Sequence, residues 1–350
     1  MKVLVTGGCG FLGSHVCELF KEKGWDVVAY DNLSKHELNR TGYNVEAVRD
    51  YNRRQLESMG ITVQKADILN LDTLLQCTEH SFAGGKCDYI VHTAAQPTMT
   101  IALEQPLLDA SINIMGTLNV LEVARQLDIP AAICSTIHVY GNGSNGQIFE
   151  HMWENRFAAL PETTSEDDVI LTGTLTPLHS SKRTTEIYAR TYTESYDTKI
   201  AIFRLTGIYG PRQFGGEDHG WVANFAIRTI LGLPIKVFGS DRQVRDILYV
   251  KDAAQAFYDW FDNSQVPGVY NVGGGIPCIT SICQCLDMLR ELTNETQAIK
   301  LESFRDGDLW YFCSNISKAS ETFNWQPKVL PKEGITKLVK WIQENRELFQ

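Results

Sequence analysis

Seven residues near the start of the chain restrict its fold more than any others. Gly7-Gly8-Cys9-Gly10-Phe11-Leu12-Gly13 follows the apolar run 2–6 and opens a segment in which Leu12, Val16, Leu19 and Phe20 recur at helical spacing. A strand that turns at once into a helix has a separate use for each glycine. Gly7 permits the sharp turn, Gly10 brings the backbone close to a pyrophosphate, and Gly13 lets helix and strand pack tightly. The helix start then presents free N–H groups and the positive end of its dipole to phosphates. Downstream, Asp31 closes the second apolar run. A carboxylate there accepts hydrogen bonds from a ribose 2′-OH and repels a 2′-phosphate, which points to NAD rather than NADP.

The runs 2–6, 26–31, 63–67, 89–94, 131–135 and 199–204 are short and nearly continuously apolar, as strands buried on both faces should be. Helix-period segments lie between them, including 12–23, 109–126 and 182–196. Strand–helix alternation of this kind predicts an α/β fold, a Rossmann-type doubly wound parallel sheet with helices on both faces. After Arg204 the alternation loosens into glycine-punctuated short strands, helical patterns at 281–292 and 316–323, and a terminal helix with Leu338, Trp341 and Ile342 on its apolar face. The expected organisation is an NAD-binding domain over 1–205 and a smaller mixed α/β substrate lobe over 206–350, with some elements of the second part returning to the first. Residues 34–60 read as a long polar, helix-like insertion after the second strand.

Composition excludes several classes. A formal net charge of −10 lacks the basic face of a nucleic-acid binder. The nine cysteines are scattered, and the Cys283/Cys285 pair has neither zinc spacing nor a matching partner pair, so no metal site is expected. The first apolar run passes directly into glycines and so does not read as a signal peptide. No stretch approaches the ~20 apolar residues of a membrane span. A cytoplasmic protein without a membrane partner is the expectation.

The glycine turn, Asp31, Ser135-Thr136, Tyr140-Gly141 and Lys182 together resemble the extended short-chain dehydrogenase/reductase family, the NAD-dependent epimerases and dehydratases of nucleotide-diphosphate sugars. His92-Thr-Ala-Ala-Gln96, Asn113, Arg204, Gln243-Val-Arg245-Asp246 and Arg305-Asp306-Gly307-Asp308 extend the resemblance over nearly the whole chain. Among its subfamilies, the CDP-paratose (CDP-tyvelose) 2-epimerases are most similar, through residues 7–14, Asp31-Asn-Leu-Ser34, Tyr209-Gly-x-Arg212-Gln213-Phe214, Gly220-Trp221-Val222 and 243–246. The resemblance implies NAD held by Gly7, Gly10, Phe11, Leu12, Gly13, Asp31, Asn32, Asp67, Ile68, Ala94, Ala95, Gln96, Asn113 and Lys182. Asp67 reads equally well as a helix N-cap for 71–79. A homodimer is also implied, since relatives commonly pair through helices corresponding to 105–126 and 182–196.

In the family a tyrosine four residues before the lysine accepts the proton while a sugar carbinol gives up hydride. Here that position is Leu178, in Thr176-Pro177-Leu178-His179-Ser180-Ser181-Lys182. Three substitutes are visible: His179 beside it, His138 two residues past Thr136, and Lys182 itself. Each histidine could equally be a hydrogen-bonded structural residue, and Tyr140 belongs to a packing motif. Thr136 and Lys182 keep their family roles. For a nucleotide-diphosphate sugar the candidates are Gln96, Thr136, His138, Asn224 and the three arginines Arg212, Arg245 and Arg305, whose guanidinium groups suit phosphate oxygens. Met99 and Thr100 follow the fourth strand, and His219 and Trp221 are candidates for the pocket wall. The leading expectation is an epimerase acting by transient hydride transfer, with C2 of a CDP-sugar preferred. A 4,6-dehydratase, decarboxylase or oxidoreductase is the alternative within enzymes. A non-catalytic binder of NAD and nucleotide sugar is the alternative outside them, and Leu178 favours it.

Overall fold

The computed structural model describes residues 1–82, 84–151 and 154–349. Seven parallel strands form the central sheet: β1 (Lys2–Thr6), β2 (Asp26–Asp31), β3 (Thr62–Lys65), β4 (Tyr89–His92), β5 (Ala131–Thr136), β6 (Ile200–Leu205) and β7 (Gly268–Val272). Their order is β7-β6-β5-β4-β1-β2-β3. The chain winds outward one way through β2 and β3, and the other way through β4, β5 and β6. The direction reverses between β1 and β4, which opens a crevice at the carboxyl ends of those two strands.

Successive residues of β1 face opposite layers. Val3 and Val5 pack with Val16 and Phe20 of helix α1 (Phe11–Glu22) and with Phe257 and Trp260, while Leu4 packs with Leu74, Val120 and Leu121 on the other face. All three β1 residues are fully buried, which explains their unbroken apolar run. Helix Val250–Asn263 packs on α1, and β7 adds to the edge beside β6. The carboxyl-terminal half thus returns two elements to the main sheet. A second core forms around helix Trp221–Leu231, helix Ile282–Thr293 and helix Pro331–Glu344.

Two expectations from the sequence change here. The helix placed at 182–196 runs from Pro177 to Tyr196, because Thr176 caps it and Pro177 occupies its first turn. The helical segment at 109–126 is part of one helix spanning Pro106–Leu127, with a π-helical turn at Ala110–Gly116. By length and composition that helix is apolar enough to cross a bilayer, contrary to the reading of the sequence. It instead packs against helix Leu71–His80 and helix Pro177–Tyr196, with Asp109 and Asn113 turned inward. The insertion at 34–60 forms a 3-10 turn at His36–Arg40 and short helices at Glu46–Arg49 and Tyr51–Ser58.

Candidate active site

One cleft of about 580 Å³ runs along the carboxyl ends of the strands. It begins at the glycine turn. Gly7 has φ +68°, and its N–H donates to the Tyr30 carbonyl at 2.8 Å. A Cβ on Gly13 would overlap the Gly7 carbonyl oxygen and lie 2.7 Å from Thr93 Oγ1. A Cβ on Gly7 would lie 2.6 Å from the Ala94 nitrogen. Strand and helix therefore touch at a distance only glycine allows. Gly10 caps α1 without a side-chain hydrogen bond, so the first N–H groups of α1 remain for a ligand. Phe11, Leu12, Asn32, Asp67, Ile68, Ala94 and Ala95 line the same stretch.

Asp31 lines it as well. Its carboxylate accepts the Cys9 N–H at 2.9 Å and the Leu33 N–H at 2.7 Å, and burial raises its pKa. Two backbone bonds fix the group and leave lone pairs for ribose hydroxyls. Asn32 Nδ2 donates to Asp67 Oδ2 at 2.9 Å, tying two expected cofactor residues together. Asp67 does not cap the next helix; Asn70 does, accepting the Thr73 N–H. This donor set and glycine cradle fit a dinucleotide.

Farther along, Thr136, His138 and Leu178 line the cleft, whereas His179, Lys182, Asn113 and Tyr140 do not. Thr136 ends β5, and its Oγ1 accepts the His138 N–H at 3.3 Å in the turn that follows. This turn sets His138 beside the hydroxyl. Burial, with Arg245 and His179 adding to it, brings the His138 pKa down to about 4, so the ring is neutral near pH 7. Its Nδ1 is buried without a partner among the described residues. Leu178 is 3% exposed and presents only carbon.

Several side chains expected in the site are engaged elsewhere. His179 turns back as the third residue of its helix: its Nδ1 accepts the Thr176 N–H at 3.0 Å, completing a capping box. It meets the His138 ring edge-on at 5.6 Å, so it supports that wall rather than forming it. Lys182 donates to the Cys134 carbonyl at 3.0 Å, and burial lowers its pKa. Asn113 exchanges hydrogen bonds with the Gln96 backbone at 2.9 and 3.1 Å. The Gln96 amide binds Thr98 and Asp109, so it holds the turn after β4 instead of reaching outward. Tyr140 donates to Asn271 Oδ1 at 2.8 Å, as a packing residue would.

The far end of the cleft carries the arginines. Arg245 donates to Asp308 Oδ1 at 2.8 Å, and Arg305 donates to the Glu217 carbonyl at 2.9 Å and to Asp218 Oδ1 at 3.1 Å. The Arg305 guanidinium also stacks on Phe238, 3.7 Å from the ring centre. Asn224 and Trp221 line this region too. Arg212 lines the cleft as well. Its guanidinium faces α1, donating to His15 Nδ1 at 2.8 Å and to Glu18 Oε2 at 2.6 Å. So paired and only 6% exposed, it also braces the loop at 210–214. His219 lines the cleft, with Nε2 on the Phe214 carbonyl. Met99 also lines it, while Thr100 does not. Reading the sequence alone missed Lys35, Asn52, Lys236 and Phe238, which also line the cleft. Only Lys35 carried a signal, as a cation four residues past Asp31.

Comparison with known proteins agrees with this geometry. The NAD dependent epimerase/dehydratase family matches residues 3–273, and the chain belongs to that family. It is 28% identical to the CDP-paratose 2-epimerase of Salmonella typhi, over 97% of this chain and 99% of that protein. It is also 28% identical to the UDP-glucuronate 4-epimerase of Thermodesulfobacterium geofontis, over 99% and 98%. Among solved structures, the UDP-glucose 4-epimerase of Thermotoga maritima with UDP-glucose superposes with a TM-score of 0.80 at 27% identity, covering 99% of this chain and 100% of that one. The Thermus thermophilus UDP-glucose 4-epimerase complex with NAD gives 0.75 at 29% identity, over 99% and 100%.

Proposed function

From membership in the NAD-dependent epimerase/dehydratase family, we propose that this chain is a nucleotide-diphosphosugar epimerase working by transient hydride transfer. The observation that carries the reading is the continuity of one cleft, from the glycine turn past Thr136 and His138 to Arg245 and Arg305. The first end suits a dinucleotide and the last suits a second diphosphate, with a hydroxyl and an imidazole between them.

Bound NAD supplies a reversible hydride acceptor. The chain's own residues do the rest. Arg245 and Arg305 hold the substrate diphosphate, and Phe238 and Trp221 give its base an aromatic surface. Thr136 Oγ1 hydrogen-bonds the reacting sugar hydroxyl. The neutral His138 ring accepts that hydroxyl's proton and later returns it. Lys182, anchored on the Cys134 carbonyl, places its positive charge beneath the site. Leu178 excludes water where relatives of this type keep a phenol. C2 of a CDP-sugar is the preferred position and substrate, supported by the relative named CDP-paratose 2-epimerase. Two apolar helix faces support a homodimer: Leu107 and Met115 on helix Pro106–Leu127, and Ile187 and Tyr188 on helix Pro177–Tyr196, are exposed.

Leu178 favours one other reading, a protein that binds NAD and a nucleotide sugar without turnover. A single experiment decides. The purified protein, with its released cofactor identified, is incubated with CDP-, UDP-, GDP- and dTDP-sugars in deuterated water, and products are read by NMR. An epimer supports the proposal, loss of water or carboxylate assigns a lyase reaction, and no product with tight binding supports the binder. If an epimer forms, His138→Ala should abolish turnover; an unchanged rate removes His138 as the proton acceptor.

A further inference from the structure

Lys35 is the least expected group in the cleft wall. It is 8% exposed and lines the cleft, and its ammonium has no hydrogen-bond or ion-pair partner among the described residues. Burying an ammonium costs several kcal/mol unless something compensates it. Here the carboxylates that act on it are Asp31, Glu37 and Asp50, and none forms an ion pair with it among the described residues. Lys35 therefore lines the cleft within electrostatic reach of Asp31, unmet from the protein side.

A second unmet group lies in the same wall. Asn52, from the inserted helix Tyr51–Ser58, is 1% exposed. Its Nδ2 donates to the Cys9 and Gly10 carbonyls at 3.3 and 3.2 Å, bracing the turn. Its Oδ1 is buried without a partner among the described residues, and its residue lines the cleft. A cation without a protein partner and a buried unpartnered acceptor, both lining one cleft, match a ligand that carries a phosphate next to a sugar hydroxyl.

We propose that Lys35 is a phosphate ligand for the bound dinucleotide, completing with Asn52 a wall built by the 34–60 insertion against the 5′-diphosphate and its ribose. The assignment rests on the NAD reading of the cleft. It gives the insertion a purpose: the glycine turn contributes backbone N–H groups, and the insertion contributes a full positive charge. The ligand then supplies the counter-charge that the described residues do not. Asp31 still disfavours a 2′-phosphate, so the charge acts on the 5′-diphosphate.

The test uses the full chain stripped of cofactor, with dissociation constants measured by calorimetry for NAD, ADP, adenosine and 2′,5′-ADP. Lys35→Met should weaken NAD and ADP about 10- to 100-fold, the range of one charge-assisted hydrogen bond. Adenosine should bind within twofold of wild type. Lys35→Arg should recover most of the loss, and ADP binding to Lys35→Met should depend less on salt. The melting temperature of stripped Lys35→Met should be unchanged or raised, because an uncompensated buried charge has gone. An unchanged ADP constant, an equal loss for adenosine, or a loss confined to 2′,5′-ADP overturns the proposal. A lowered melting temperature of the stripped variant also overturns it, by showing that the ammonium stabilises the fold itself. Wild-type protein that binds neither NAD nor ADP overturns the cofactor reading as well, and so separates the two failures.

Discussion

Glu186 should be among the costliest single residues to alter in this protein, and the reason is electrostatic. It is 1% exposed on helix Pro177–Tyr196. Its Oε1 accepts Ser135 Oγ at 2.6 Å and Arg204 Nε at 3.0 Å, and its Oε2 accepts Arg204 Nη2 at 2.9 Å and Arg183 Nη1 at 2.8 Å. Arg204 lies on β6 and Ser135 precedes Thr136 on β5. The carboxylate thus pins the helix carrying Leu178 and Lys182 to the strand carrying Thr136. Glu186→Gln keeps the shape but leaves the Arg204 charge uncompensated in the interior, a change that costs about 3–5 kcal/mol. Arg204 retains the Glu166 carbonyl at 3.1 Å and the Tyr140 ring at 4.8 Å, which favours the lower end. At about 2.1 cal/mol/K of unfolding entropy per residue, a 350-residue chain converts this loss into a fall of about 4–7 °C in Tm. The assay is reversible denaturant unfolding and a thermal melt at pH 7, for this variant and for Glu186→Leu with Arg204→Met. Replacing both partners removes the stranded charge, so the double variant should be the more stable of the two. A Glu186→Gln loss below about 1 kcal/mol, or a double variant less stable than the single, refutes the reasoning.

Three other outcomes are expected. Gly13→Ala forces a methyl against the Gly7 carbonyl; it should cost about 1–3 kcal/mol of stability and abolish measurable NAD binding, read by melts and calorimetry. Arg305→Met removes a diphosphate ligand and should weaken nucleotide-diphosphate-sugar binding by about 10- to 100-fold, with NAD affinity unchanged in the same titration. Acid should unfold the protein through its buried histidines. Burial brings His15 to about 4 from 6.5 and His92 to about 3, so below pH 6.5 the unfolded chain takes up protons that the native state refuses. Stability is then lost as pH falls from 6.5 toward 4, by about 3 kcal/mol for His15 alone at about 1.4 kcal/mol per pH unit. Asp246, raised by burial to about 6, acts in the opposite sense over the same window. His15→Gln should flatten the decline in a pH series of denaturant midpoints; an unchanged slope refutes its part.

Much of the architecture was legible in the chain. Residues 2–31 spell a buried strand, a glycine turn and an amphipathic helix, and each step follows from rules acting within a few residues: hydrophobic period, Cβ sterics and the free N–H groups of a helix start. The same holds for β4, β5 and β6, whose apolar runs need no knowledge of their neighbours. The boundaries that shifted had local causes of a different kind. Thr176 and Pro177 began a helix five residues earlier than its apolar period did, and Pro106 began another three residues before its expected start.

The fate of the polar side chains was decided only by tertiary contact. Arg212 and Arg245 both line the cleft, and each meets an acid far off in the chain, Arg212 with Glu18, 194 residues away, and Arg245 with Asp308. Gln96 and His179 carried the right chemistry for a site and were taken up by Thr98, Asp109 and Thr176. Lys35 and Asn52 gave almost no signal until folding set both in the cleft wall, with the Lys35 ammonium and Asn52 Oδ1 unpartnered among the described residues. The physical reason is range. Backbone preference and hydrophobic burial are set by adjacent residues, so the amino-acid order alone determined the sheet, the turn and the dinucleotide cradle. Which buried charge finds a counter-charge depends on segments brought together from across the chain, so only the folded molecule decided that pairing.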